Sequence, residues 1–200
     1  MFELRLAQFL PQTRVEGPGL RAAIWVQGCP IHCPGCAVPE YWDFHGGTSI
    51  RVEDLANKIL SIPNLEGVTF AGGEPFTQAT PLALLGRMVQ AKGLSVITFS
   101  GYTIDELRAR HDEGTRALLS VTDLLIAGPF RQEEADGSLY LAGSRNQQFH
   151  YLTSRYRSQQ GKLEHTKNRI ELHILKNGKV LLNGMMIGQK MRHILDDKQN

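Results

Sequence analysis

Cys29, Cys33 and Cys36 are the only cysteines of the chain, and they stand together in Gly28-Cys29-Pro30-Ile31-His32-Cys33-Pro34-Gly35-Cys36. An odd number of cysteines on one short loop does not build a disulfide framework. Thiolates spaced C-x3-C-x2-C read instead as ligands of an iron–sulfur cluster. A [4Fe–4S] cubane normally takes four cysteines, so three leave one iron without a protein ligand. An open metal position is where a reacting molecule binds. The prolines and glycines keep the loop out of a helix and let backbone amides approach the sulfurs. A zinc site with His32 or His45 as fourth ligand is the alternative. Zinc sites usually show paired C-x2-C knuckles, and only one such pair is present. His32, between two of the thiols, reads as a solvent-facing loop residue rather than a ligand.

The surrounding pattern alternates strand and helix. Arg21 to Gln27 is an apolar strand leading into the cysteine loop, and Val52 to Ile62 carries apolar residues at helical spacing. Gly67 to Ala71 is a second strand, Pro81 to Lys92 a second helix ended at Gly93, and Leu94 to Phe99 a third strand. Thr103 with Glu106 forms a capping box that opens a third helix, and Val121 to Ile126 is a fourth strand. This rhythm belongs to a parallel sheet with crossover helices. Past residue 150 it stops. Arg155 to Asn168 reads as a polar loop, and Arg169 to Leu175 and Lys179 to Leu182 flank the hairpin signal Asn177-Gly178. The tail from Asp196 reads as frayed.

The second strand ends in Gly72-Gly73-Glu74-Pro75. Ligands of parallel sheets and barrels sit at the carboxyl ends of strands. Two glycines there let a ligand approach the backbone, and Glu74 adds an acceptor for a cation. A tight turn explains the glycines equally well in isolation; one strand after a three-cysteine loop, the motif gains weight.

With both motifs in view, the chain resembles the radical S-adenosylmethionine (SAM) enzymes. That resemblance implies that Cys29, Cys33 and Cys36 hold a [4Fe–4S] cluster whose open iron chelates SAM. It implies that Gly72, Gly73 and Glu74 contact the methionyl ammonium. One electron then cleaves the sulfonium C–S bond, and a 5′-deoxyadenosyl radical, not a side chain, abstracts hydrogen. Glu16 to Arg21 and Trp25 to Pro30 resemble the opening of glycyl-radical-enzyme activases. Cys36 to Trp42, Asp123 to Phe130 and Gly143 to Gln147 are similar to the anaerobic ribonucleotide reductase activase group. The implied fold is α/β: a partial (βα)-barrel of the radical SAM type with a mostly parallel sheet, plus a C-terminal β-hairpin extension. Residues 1–150 form the core and 151–200 the basic extension. Longer activases insert cysteine-rich ferredoxin-like sequence that is missing here, so one cluster is expected.

Other positions are open. Ser100, in Phe99-Ser100-Gly101-Tyr102, either hydrogen-bonds the ribose or makes an ordinary strand-end turn. Asp123 either contacts the charged end of the cofactor or serves as a cap or ion-pair partner. Tyr41 and Trp42 either shield adenine and cluster or simply pack. Arg145, Asn146 and Gln147 either line the substrate mouth or form a polar turn. Many members of the family carry an aromatic residue just before the third cysteine; here it is Gly35, so adenine needs another wall.

Composition narrows the function classes. No run of about 18 apolar residues is present, and no signal-peptide pattern opens the chain, so a reducing cytosol without a membrane is expected. Residues 1–150 hold 12 basic and 16 acidic side chains, whereas 151–192 hold nine basic and two acidic. A solvated basic face is the favoured reading of that tract, and nucleic acid is not an expected partner. The expected partners are a glycyl radical enzyme that donates its glycine hydrogen and a flavodoxin or ferredoxin reductant. The alternative is a radical SAM enzyme that modifies a small molecule or nucleotide, like the deazaguanine synthases. An electron carrier or zinc module fits the Gly-Gly-Glu turn less well.

Overall fold

The structure, a computed structural model, describes residues 2–174 and 180–184. Seven strands make one sheet: β1 (Glu3–Thr13), β2 (Arg21–Val26), β3 (Thr48–Arg51), β4 (Gly67–Gly72), β5 (Ser95–Ser100), β6 (Leu124–Ala127) and β7 (Gln148–Tyr151). Their order is β3-β1-β2-β4-β5-β6-β7. The four central strands β2, β4, β5 and β6 run parallel, as the alternating pattern predicts. The outer three pair antiparallel. The architecture is therefore mixed α/β around a parallel centre.

Four helices supply the crossovers and cover one face: α1 (Val52–Leu60), α2 (Ala79–Gln90), α3 (Ile104–Ala109) and α4 (Glu113–Val121). The predicted capping box is present, with the Thr103 hydroxyl accepting from Glu106 N and the Glu106 carboxylate accepting from Thr103 N. Strand alternation sends Ala22, Ile24, Val26, Val68, Phe70 and Val96 to the helical face, where they pack against Leu55, Ile59, Leu82, Leu85 and Leu118. Val121 corrects one boundary. Predicted as the start of the fourth strand, it ends α4, and its side chain fills the space over Gly86 of α2.

The other face buries a second cluster, in which Ile97, Leu124 and Ile126 meet Tyr140, Leu141, Tyr156 and Leu163. Its polar centre is Arg21, fully buried at the start of β2. No carboxylate pairs with it among the described residues. Its guanidinium donates instead to Thr69 Oγ1, Ser95 Oγ, Tyr156 Oη and the carbonyls of Pro18, Val68 and Ser95. Burial pushes its pKa down, and the neutral acceptors replace the lost water. The Arg155–Asn168 stretch, read as a polar loop, thus contributes Tyr156 and Leu163 to the core.

Beyond it, β8 (Glu171–Ile174) and β9 (Val180–Asn183) pair antiparallel as the predicted hairpin, whose Asn177-Gly178 turn lies outside the described residues, as does the tail from Asp196. The Glu171 carboxylate clasps this hairpin to the end of β1, accepting from Thr13 Oγ1 at 2.7 Å and Arg14 N at 2.8 Å.

Tyr156→Phe removes one acceptor from Arg21 Nη1, which keeps Pro18 O and Ser95 Oγ, and one partner from the Ser95 hydroxyl, which keeps Glu66 O. The expected cost is about 1 kcal/mol, read as a lower urea midpoint at unchanged slope. An unchanged midpoint would remove Tyr156 from this lock.

Candidate functional site

The cysteine loop is fixed by backbone pairing that continues the β2–β4 ladder past the ends of the strands. Gly73 N donates to Val26 O at 2.8 Å, and Glu74 N donates to Gly28 O at 2.9 Å. From the other side, Gly28 N donates to Tyr41 O at 2.9 Å and Cys29 N to Trp42 O at 3.1 Å. This contact explains the glycines better than an approaching ligand does. A Cβ on Gly73 would overlap the Gly28 carbonyl and lie 3.0 Å from Tyr41 O, and one on Gly72 would overlap the backbone of Trp25 and Val26. Gly72 also sits at φ +110, a conformation side chains disfavour.

The result is a cavity of about 160 Å³ at the carboxyl ends of β2, β4, β5 and β6. Cys29, Cys33, Cys36, Gly72, Gly73, Glu74 and Ser100 all line it. None of the three cysteines is in a disulfide. Burial pushes the Cys29 and Cys33 thiols up, while backbone N–H groups of Ile31 and His32 act on Cys29 in the opposite sense, as does that of Phe130 on Cys33. Donors aimed at sulfur favour the thiolate that binds metal.

Glu74 is fully buried, and its carboxylate faces three donors. Oε1 accepts from Phe76 N and Ser100 Oγ, both at 3.0 Å, and Oε2 accepts from Gly101 N at 2.8 Å. Burial still raises its pKa to about 7 against the pull of those bonds. Ser100 therefore ties β5 to the β4 turn. Its hydroxyl donates to Glu74 and accepts from Tyr102 N at 3.1 Å, which is the strand-end turn of the two readings.

Asp123 is not brought to the cavity. It precedes β6, at the opposite end of the parallel strands, and its carboxylate accepts from Val96 N at 2.8 Å, Thr153 Oγ1 at 2.6 Å and Gln90 Nε2 at 3.4 Å. It fastens the foot of β5 to β6 and to the chain after β7. Of Arg145, Asn146 and Gln147, only Gln147 lines the cavity. Gln147 Oε1 accepts from Gly143 N and Ser144 N, while Nε2 donates to Gly128 O. Arg145 is exposed beside Asp136, and Asn146 donates to Pro129 O. Trp42 lines the cavity, and His32, exposed at φ +51, stacks on it at 4.5 Å between centroids. Tyr41 points elsewhere, donating to Gln8 Oε1 at 2.9 Å. The aromatic walls are Trp42, Phe99 and Phe130. Phe99 and Phe130 went unread as walls in the sequence, although Phe99 lies near the carboxyl end of β5 and Phe130 in the loop just after β6.

A family model described as a 4Fe-4S single cluster domain matches residues 15–150. The anaerobic ribonucleoside-triphosphate reductase-activating protein of Salmonella typhi is 32% identical over 158 residues, covering 74% of this chain and 99% of the relative. Its namesake from Escherichia coli K12 is 31% identical over 153 residues, 72% of this chain and 97% of the relative. The pyruvate formate-lyase 1-activating enzyme of E. coli K12 is 31% identical over 128 residues, 61% of this chain and 50% of the relative. Fold, site and matches define an iron–sulfur enzyme of the radical SAM oxidoreductase class. Within that class the chain belongs to the activating-enzyme family of the anaerobic ribonucleoside-triphosphate reductase-activating proteins.

Gly73→Ala tests the backbone contact. Forcing a methyl against the Gly28 carbonyl is expected to cost about 1–3 kcal/mol of stability and to lower the iron retained after anaerobic reconstitution. Wild-type iron content and urea midpoint together would contradict the contact.

Proposed function

We propose that the chain holds one [4Fe–4S] cluster on Cys29, Cys33 and Cys36 and binds SAM at the iron these thiolates leave open. The observation that carries this reading is the convergence of three unpaired thiols and the Gly72-Gly73-Glu74 turn on one cavity. When bound, the cluster would supply the one electron that cleaves the sulfonium C–S bond of SAM to methionine and a 5′-deoxyadenosyl radical, which would take a hydrogen atom from the substrate to become 5′-deoxyadenosine.

The protein's own part is binding, orientation and exclusion of water. The N–H groups of Ile31, His32 and Phe130 steady the thiolates. The Gly-Gly-Glu turn offers acceptors for the SAM ammonium, with Glu74 held rigid by Phe76 N, Ser100 Oγ and Gly101 N. An ammonium beside it keeps Glu74 ionised at neutral pH, against the effect of burial. Phe99, Phe130 and Trp42 replace the aromatic wall that Gly35 does not supply. The four parallel strands, with helices outside and Tyr140, Tyr156 and Leu163 inside, are read as the partial barrel of this enzyme class.

The hydrogen donor in this reading is a glycine of a partner glycyl radical enzyme such as anaerobic ribonucleotide reductase, in keeping with the names of the relatives. A flavodoxin or ferredoxin supplies the electron in a reducing cytosol. Among the described residues no helix is long and apolar enough to cross a membrane.

The test is anaerobic reconstitution followed by SAM and dithionite. Wild type is expected to form 5′-deoxyadenosine, Cys33→Ala none above background, and Glu74→Ala less because SAM binds more weakly to an intact cluster. With the glycyl radical subunit added, a doublet in the paramagnetic resonance spectrum is expected. Absence of 5′-deoxyadenosine sinks the whole reading. Its formation without a doublet points to a small-molecule or nucleotide substrate instead.

A further inference from the structure

Among the described residues, the hairpin β8–β9 carries an exposed apolar face. In the antiparallel register Leu172 stands opposite Leu182 and Ile174 opposite Val180, so these four share one face, with Ile170 two residues before Leu172. Ile170 is 50% exposed, Leu172 56%, Ile174 74% and Val180 38%. Only Phe2 and Phe44 join them as exposed large hydrophobic residues among those described. The opposite face carries Glu171, His173 and Asn183, with Leu181 at the register position across from His173; Glu171 and Asn183 meet the end of β1, where Asn183 donates to Thr13 Oγ1 and Glu171 accepts from Thr13 and Arg14. Alternation thus turns Glu171 and Asn183 toward β1 and leaves Ile170, Leu172, Ile174 and Val180 exposed, a cluster of aliphatic side chains that a solvated strand face does not carry.

Among the described residues of the tract that carries this face, basic side chains outnumber acidic ones. Residues 151–192 contain two acids, Glu164 and Glu171. Both are engaged internally: Glu164 accepts from Tyr151 Oη, and Glu171 holds β1 and pairs with His173. Lys167 and Arg169, in the segment that leads into β8, are exposed, and the Arg169 side chain also bonds Tyr140.

We propose that this face is a docking ridge for the substrate protein, and that the partner offers an apolar groove rimmed by carboxylates. The proposal rests on the activase reading above and adds a second contact point to it. The ridge is aliphatic and carries no aromatic side chain, which suits neither base stacking nor a membrane interface. Nor does it suit the electron donor. The hairpin is clasped at Thr13, which pairs with Arg21 at the foot of β2, whereas the cysteines follow the top of that strand. Five steps of strand, about 17 Å at 3.3 Å per residue, separate the two, so a protein seated on the ridge would anchor without approaching the cluster. The relatives, matched over 99% and 97% of their own lengths, leave about a quarter of this chain without a counterpart. The ridge would then set which partner is activated rather than the chemistry.

The test uses the full reconstituted chain and the glycyl radical reductase subunit encoded in the same genome. Leu172→Asp/Ile174→Asp is expected to raise the Kd for that subunit at least tenfold and to cut the glycyl radical yield at subsaturating partner. The 5′-deoxyadenosine formed without partner should stay at the wild-type level. The wild-type Kd should also rise with salt. Leu172→Thr/Ile174→Thr, which keeps strand propensity, should weaken binding in the same direction. An unchanged Kd in both variants overturns the proposal. So does a wild-type dimer that either variant converts to monomer, or binding to anionic vesicles that the variants abolish while partner affinity holds. If wild type makes 5′-deoxyadenosine but no glycyl radical on that subunit, the activase reading itself fails and takes the ridge with it.

Discussion

Two backbone hydrogen bonds hold this molecule's site together: Gly73 N to Val26 O and Glu74 N to Gly28 O. They carry the β2–β4 pairing past the last residues of both strands and draw the cysteine loop against the Gly-Gly-Glu turn. Backbone contact this close leaves no room for a Cβ at Gly72 or Gly73. The positions of Cys29, Glu74 and, through Glu74, Ser100 follow from it. Side-chain rotamers alone could not fix three thiols and a carboxylate around a cavity this small; a rigid ladder can.

The sheet that carries the site buries an arginine at its foot and a glutamate at its top, and the two are handled in opposite ways. At the foot, Arg21 is surrounded by carbonyls and hydroxyls, with no carboxylate paired to it among the described residues, so its charge is solvated by the protein and cross-links β2, β4 and β5 to Tyr156. At the top, Glu74 is surrounded by donors that hold it in place but do not offset burial. A positive ligand beside Glu74 would complete what the protein leaves undone. The foot is thus a finished structural lock, whereas the top holds a carboxylate whose charge burial still disfavours. Asp123, with both oxygens engaged at the foot, belongs to the lock.

Much of this was legible in the residues. The apolar run of β2, the helical spacing of α1 and α2 and the Thr103–Glu106 box all sit where local chemistry puts them. The two motifs of the site were readable because spacing and strand ends are one-dimensional facts. β1 was missed because its alternation, Leu4 and Leu6 inward, breaks at register shifts after Leu6 and Leu10, so period two does not persist. β3, Thr-Ser-Ile-Arg, lies at an exposed sheet edge and carries almost no apolar signal. Asp123 misled because it starts its strand. In a parallel sheet the start and the end of a strand lie at opposite poles, and ligands gather at the end. The Phe130 N–H toward Cys33 and the bonds of Gln147 depend on the path of the loop between β6 and β7, which no local pattern encodes.

The central claim is that three thiolates hold a cluster with one iron free for SAM. Mössbauer spectroscopy of the ⁵⁷Fe-reconstituted chain, with and without SAM, addresses it without any turnover. The account predicts that SAM shifts the signal of one iron in four toward higher coordination and that Glu74→Ala raises the SAM concentration needed for the shift. Four irons that ignore saturating SAM would contradict it.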